Sequence, residues 1–223
     1  MRTWLILTDP ELFLIRLIVI VLSITLHEFG HAYSADRMGD DTPRRQGRVT
    51  LWPDKHFDPV GFLMIIVTMN VGRGIGWGKP VQVDVNRLRH PRRDWLISVA
   101  CGPLMNLLLA LVFGLILRVA ISTQHTGWLF TPSEEYSVLG QFVQSFLYIN
   151  LSLMFFNLIP IPPLDGSWLL GGLLPNHLAT PYERNMRQYG PMILLGVCVL
   201  APEILGIIIG PAVMSAARLI VGY

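Results

Sequence analysis

His27, Glu28 and His31 fall in the run SITLHEFGHAYSA, at the end of a long apolar stretch. On a helix, histidines four residues apart share one face, one turn apart, so both imidazoles can bind a single metal ion. The glutamate beside the first histidine is placed to act as general base toward a water molecule. Zinc suits such a pair and lowers the pKa of a water it binds towards neutrality. Ionisable groups inside a membrane segment are costly and mark function. A hydrogen-bonded polar helix interface would also explain three polar residues, but it gives no reason for this spacing.

A catalytic zinc usually has three protein ligands and one open position. No further histidine stands at a suitable distance along the chain. Asp165, in IPIPPLDG, is the only acid between Glu135 and Glu183. Alone, Asp165-Gly166 reads as an ordinary turn; beside a histidine pair lacking a ligand it reads as that ligand. One Zn2+ per chain is the expectation. Amide hydrolysis also needs a donor for the developing oxyanion. Asn157, eight residues before Asp165, is one candidate. Asn106 is the other, though a hydrogen bond between helices is the slightly better reading for it.

The elements that must position these residues are apolar and long. The chain has 223 residues, 52% hydrophobic and 14% charged, with mean hydropathy +0.50. Soluble domains carry about 25% charged residues, so the expected class is an all-α polytopic membrane protein. Spans are expected at about 12–35, 95–121, 138–158 and 191–221, giving about four to six transmembrane segments in a single domain over 1–223. A bilayer crossing needs roughly 20 residues. The run Val60–Val71 is too short to cross, and with PVQVDVN (80–86) it is expected to form a re-entrant or β-hairpin element over about 58–86. The β-branched middle and the glycines after it allow strand or helix. The final stretch is interrupted at Pro202-Glu203 and Gly210-Pro211, which suggests one span plus a broken or interfacial helix. The first apolar run carries HEFGH and has no cleavage-site pattern, so it is expected to be retained.

Charge sets the expected orientation. Of 17 Lys and Arg, 11 lie between Asp36 and Asp94, and none between Ser122 and Ser137, where Glu134 and Glu135 stand. Basic residues collect on the cytoplasmic side. The N-terminus is therefore expected outside, residues 36–94 and 160–190 inside, with Trp4 and Trp128 at the outer interface and Trp52, Trp77, Trp95 and Trp168 at the inner one. His27 lies 15 residues after Leu12, about 22 Å along a helix rising 1.5 Å per residue, so the site falls within the membrane near its cytoplasmic face. A net charge of +2, with no basic run, gives no footprint for nucleic acid. Cys101 and Cys198 make no metal or disulfide pattern. No residue pattern fixes an oligomeric state.

HEFGHA in the first span, GPLMN in the second and NLIPIPPLDG after the third together resemble the site-2 protease family of intramembrane zinc metalloproteases. FDPVG and GWGKPVQVDVN are similar to that family's re-entrant region. The likeness covers residues 12–167, with no room for a PDZ or CBS domain, as in compact members. It departs at Ser167-Trp168, where many members have another glycine. It implies His27, His31 and Asp165 as zinc ligands, Glu28 as base, and Asn157 as an oxyanion or substrate contact. It implies hydrolysis of a peptide bond in or near the transmembrane helix of a membrane protein. The strand PVQVDVN would then pair with the unwound substrate through Val81, Val83 and Val85. A transporter or channel is the rival class, but the paired broken halves it would need are not visible. An inactive scaffold of the same fold is the other rival, and intact Glu28, His27, His31 and Asp165 disfavour it.

Overall fold

A computed structural model of the chain describes residues 5–72, 74–130 and 136–222, so Trp4, Glu134 and Glu135 lie outside the described residues. In chain order the helices are α1 (Leu5–Thr8), α2 (Pro10–Arg37), α3 (Thr42–Arg45), α4 (Pro59–Val71), α5 (Pro91–Ser122), α6 (Val138–Asn157), α7 (Asp165–Leu173), α8 (Asn176–Leu200) and α9 (Pro202–Val221). Among the described residues four are long and apolar enough to cross a membrane: α2, α5, α6 and α9. Their outer faces carry large exposed side chains, such as Leu14 and Ile18 on α2, Leu104 and Leu108 on α5, and Ile207 and Leu219 on α9. Faces of this kind belong in lipid, so the molecule is a multi-pass membrane protein.

The bundle centre is made by α2, α5 and α6, which pack on one another, with α9 against α5 and α6. Ala110, Leu117, Leu147, Leu151, Val213 and Ala217 form the largest buried cluster. Small residues let the backbones approach where bulk would part them. A Cβ on Gly30 would stand 2.8 Å from the Cys101 carbonyl oxygen, so the close approach at Gly30 is that of α5 to α2. Cys198 is buried beside Leu164 and Leu194, and Cys101 is partly buried; both are free. Trp95 and Trp168 pack edge to face at 6.2 Å, and among the four inner tryptophans Trp52 is the most exposed, at 69%.

Of the two readings open for 58–86, strand and helix, the helix forms, and no hairpin is present among the described residues. Residues 59–71 are helix α4, capped by Asp58, whose carboxylate accepts from the Gly61 N–H at 2.7 Å, started by Pro59 and closed by Gly72 at φ +69°. Those end signals decide between two readings that an apolar run of this length leaves open. Nor is PVQVDVN a ladder strand: among the described residues the only bridge is an isolated one, Phe130 with Tyr136, elsewhere in the chain. Its ends are tied down differently. The Lys79 N–H donates to the His56 carbonyl at 2.7 Å, and the Asp84 N–H donates to the buried Asp40 carboxylate at 2.7 Å. Toward the C-terminus the helix breaks at Ala201 between α8 and α9, while Pro211 stays inside α9.

His56 anchors this loop region. It is fully buried, its Nε2–H donates to the Thr50 carbonyl at 2.8 Å, and Nδ1 has no partner. Burial pushes the imidazole below its ordinary range, with Arg48 acting in the same direction and the Thr50 hydrogen bond and Asp54 opposing. The sign follows from linkage. Unfolded, His56 takes a proton near pH 6.5; folded, it resists protonation, so acid favours the unfolded chain and stability declines as pH falls below that value. The melting temperature in detergent is expected to fall between about pH 7.5 and about pH 5.5, and His56→Gln should make that decline shallower. An unchanged slope in the variant would remove His56 as a contributor.

Candidate metal centre

His27 and His31 project from α2 into a cavity of about 230 Å³ whose lining also includes Glu28, Asn106, Asn157 and Asp165. Asp165 reaches the two histidines because the chain turns sharply after α6. Pro160, Pro162 and Pro163 cannot continue a helix, and the Leu164 N–H donates to the Ile161 carbonyl at 3.1 Å. Asp165 then opens α7. Ser167, standing where a glycine was expected, returns its hydroxyl to the Leu164 carbonyl at 2.7 Å. Leu164 is held in a buried cluster with Leu194 and Cys198 of α8. The Arg92 guanidinium of α5 donates to the carbonyls of Gly172 and Leu174, which docks the far end of α7.

Asp165 Oδ2 thereby comes within 3.1 Å of His27 Nε2 and 3.4 Å of His31 Nε2, and the two Nε2 atoms are 3.1 Å apart. The hydrogen bonds behind the two rings decide what these atoms are. His31 Nδ1 faces the Ser98 carbonyl at 2.8 Å, which only accepts, so Nδ1 carries the proton. His27 Nδ1 faces Asn106 Oδ1 at 2.6 Å. The Asn106 amide is oriented by its own bonds: Nδ2 donates to Asn150 Oδ1 at 2.9 Å and to the Ser23 carbonyl. Asn150 is oriented in turn by donating to the Phe146 carbonyl and the Ser23 hydroxyl, both at 2.9 Å. In neutral rings both Nε2 atoms are therefore lone pairs, and they meet a carboxylate oxygen that has no hydrogen-bond partner of its own. Three acceptors in one small space repel unless a cation sits among them.

The spacing fits one. Tetrahedral ligands about 2.0–2.1 Å from zinc stand roughly 3.3 Å from each other. Among the described residues His27, His31 and Asp165 are the group of this kind; His56, His90, His125 and His177 are not part of it. Gly102 supplies the room. A Cβ there would lie 2.3 Å from His31 Nε2 and 2.7 Å from His27 Nε2. Outer partners that fix a ligand's tautomer and direction matter nearly as much as the ligands. Asn106 is such a partner by geometry, and its Nδ2 is already engaged within the helix packing.

Asn157 lines the same cavity and donates from Nδ2 to the Leu153 carbonyl of its own helix at 3.0 Å. Ile75 to Gly78, Pro80, Val81 and Val83 form the opposite wall; Val85 lies beyond the cavity in a short 3-10 turn. Three residues that sequence reasoning missed stand out. Gly102 and Asn150 act through the register between helices. Arg48 is a buried cation whose Nη2 lies 3.9 Å from Glu28 Oε2. Burial lowers its pKa and Glu28 opposes that shift.

A helical membrane bundle enclosing a set of metal-ligand atoms is the build of a membrane-embedded metalloenzyme. Comparison with known proteins is specific. The model of "Peptidase family M50" matches residues 129–201. The chain is 39% identical over 158 residues to "Putative zinc metalloprotease YwhC" of Bacillus subtilis, covering 71% of this chain and 68% of that protein. It is 33% identical over 193 residues to "Putative zinc metalloprotease Rip2" of Mycobacterium tuberculosis, covering 83% and 66%. A match to "Stage IV sporulation protein FB" of Bacillus subtilis is 31% identical over 111 residues, half of this chain and 32% of that protein. The chain spans about two thirds of the length of the first two relatives. No solved structure matches it. The chain belongs to peptidase family M50, the site-2 protease family.

Gly102→Ala is expected to cut metal content several-fold while leaving the four spans helical, because the added methyl takes the space between the two Nε2 atoms. Metal analysis of the purified variant checks this; full metal occupancy would show that the ligands lie elsewhere.

Proposed function

We propose that the protein is a zinc endopeptidase that hydrolyses a peptide bond in or near a transmembrane helix of another membrane protein. The observation that carries this is the convergence of His27, His31 and Asp165 beside Glu28, inside a bundle whose outer faces are built for lipid. The names of the relatives agree with zinc. Zinc held by these three ligands would supply a Lewis acid and a water activated at neutral pH. Glu28, beside the two histidines, is the residue that would accept a proton from a water there and return it to the leaving amine. Asn157, at the end of α6, lines the same cavity and is the proposed contact for the carbonyl of the scissile bond, through the Nδ2 hydrogen left over from its bond to the Leu153 carbonyl. Asn106 and Ser98 keep the two imidazoles in the tautomer that leaves Nε2 free.

The substrate's route is supported by a second opening. A cleft of about 680 Å³ between α2, α4 and α6 shares Ile24, Gly76, Leu153 and Phe156 with the lining of the metal cavity. A helix lying in that cleft could deliver an unwound end to Glu28. Among the described residues no group accepts from the backbone N–H of Val81 or Val83, which leaves them for an incoming chain. The charge distribution supports an N-terminus outside, residues 36–94 and 160–190 on the cytoplasmic side, and cleavage near the cytoplasmic face. The whole chain acts as one membrane-embedded domain.

Purified protein is expected to hold about one zinc per chain and to lose cleavage of a model transmembrane substrate when zinc is chelated. Glu28→Gln should keep the zinc and lower kcat by about 10²–10⁴-fold. His27→Ala and Asp165→Ala should lose zinc. Zinc retained in both of those variants would refute the site, and cleavage persisting in Glu28→Gln would remove Glu28 from the mechanism.

A further inference from the structure

Arg48 stands outside any role assigned so far. It is 3% exposed and comes from the loop after α3, where Gly47 at φ +67° turns the chain and the Arg48 N–H donates to the Pro43 carbonyl at 2.8 Å. Its Nη2 donates to the Lys79 carbonyl. The same Nη2 lies 3.9 Å from Glu28 Oε2, with the two side chains 4% and 13% exposed. Arg48 Nε and Glu28 Oε2 have no hydrogen-bond partners. A buried ion is costly unless a counter-charge faces it, so a guanidinium and a carboxylate this close, both withdrawn from water, stabilise each other's position.

The Lys79 peptide is the second half of the arrangement. Its N–H donates to the His56 carbonyl at 2.7 Å, and its carbonyl accepts from Arg48. It is thus gripped on both sides just before Pro80, Val81 and Val83 enter the cavity wall. Arg48 does not line the cavity. It stands behind both the wall and Glu28, and one planar guanidinium reaches the two together. Both contacts are made by Nη2, and a lysine would keep the charge but not the planar guanidinium that carries it there.

We propose that Arg48 is a positioning residue that holds Glu28 in register with the 79–83 wall, and so sets the base relative to a peptide lying on that wall. This rests on the function proposed above. Geometry is what it controls, and a displacement of about 1 Å at a reacting centre can cost about 10²-fold in rate.

The test uses the full-length protein in detergent with a transmembrane peptide substrate. Arg48→Gln is expected to keep one zinc per chain, lower kcat by about 10–10²-fold and raise KM several-fold. Arg48→Lys should recover part of the kcat loss and little of the KM change. In a Glu28→Gln background, adding Arg48→Gln should weaken peptide binding by the same several-fold, because the wall is loosened whether or not a base is present. If Arg48→Gln loses zinc or melting temperature in step with activity, the role is merely structural and the proposal falls. It also falls if kcat and KM stay within twofold of the parent. An inactive parent overturns this inference together with the proposed function, whereas an active parent indifferent to Arg48 overturns the inference alone.

Discussion

Two imidazole lone pairs and a carboxylate oxygen share a space in which none can donate to another, and most of the structure serves that contact. The tautomers behind it come from α5, through the Ser98 carbonyl and the Asn106 amide. The Asn106 amide is oriented from α6, through Asn150 and finally the Phe146 carbonyl. The carboxylate comes from a proline-broken turn held by α8. Each of these groups is at or near full burial: Ser23, Asn106 and Asn150 are all 0% exposed. Buried polar groups rigidify a core when fully satisfied and destabilise it when not. Here the amides of Asn106 and Asn150 are bonded on both sides, while unmet demand gathers at the three converging atoms and at Glu28 and Arg48 beside them.

The membrane makes this concentration necessary. Lipid offers no competing hydrogen bonds, so a polar chain once formed inside the bundle has no alternative partner to exchange with. It also deprives the site of water. The metal cavity and the larger cleft meet at Ile24, Gly76, Leu153 and Phe156, which line both.

What could be read from the residues follows from how local each signal is. The histidine pair and its glutamate lie within one helical turn, so the helix period alone relates them. Asp165 was recognisable because proline breaks and a lone acid leave few alternatives, even though 134 residues separate it from His31. The four spans were visible as apolar length. Gly102, Asn150 and Arg48 were not visible, for different reasons. Gly102 and Asn150 matter through the register between helices, which no spacing along one helix reports. Arg48 sits in a loop without periodicity, among ten other basic residues that looked like topology markers. The stretch 58–86 stays open between hairpin and helix in the sequence for a local reason: β-branched residues stand against Asp58-Pro59 and Gly72, the start and stop signals of α4. PVQVDVN alternates as a strand would, yet side-chain and loop tethers, not a neighbouring strand, hold its ends.

The wall from Gly78 to Val83 has a consequence for selectivity. On the function proposed above, a visitor would meet the N–H groups of Val81 and Val83, which have no acceptor among the described residues, and main-chain groups are common to every peptide. Such a surface reads the shape of a chain before it reads its side chains: a helix has already spent its N–H and C=O groups internally and offers nothing to pair. Discrimination would then fall on how readily a candidate helix comes apart at the right depth. Glycine, proline and β-branched residues, poor helix formers all, would matter more to the enzyme's choice than any consensus around the bond it cuts.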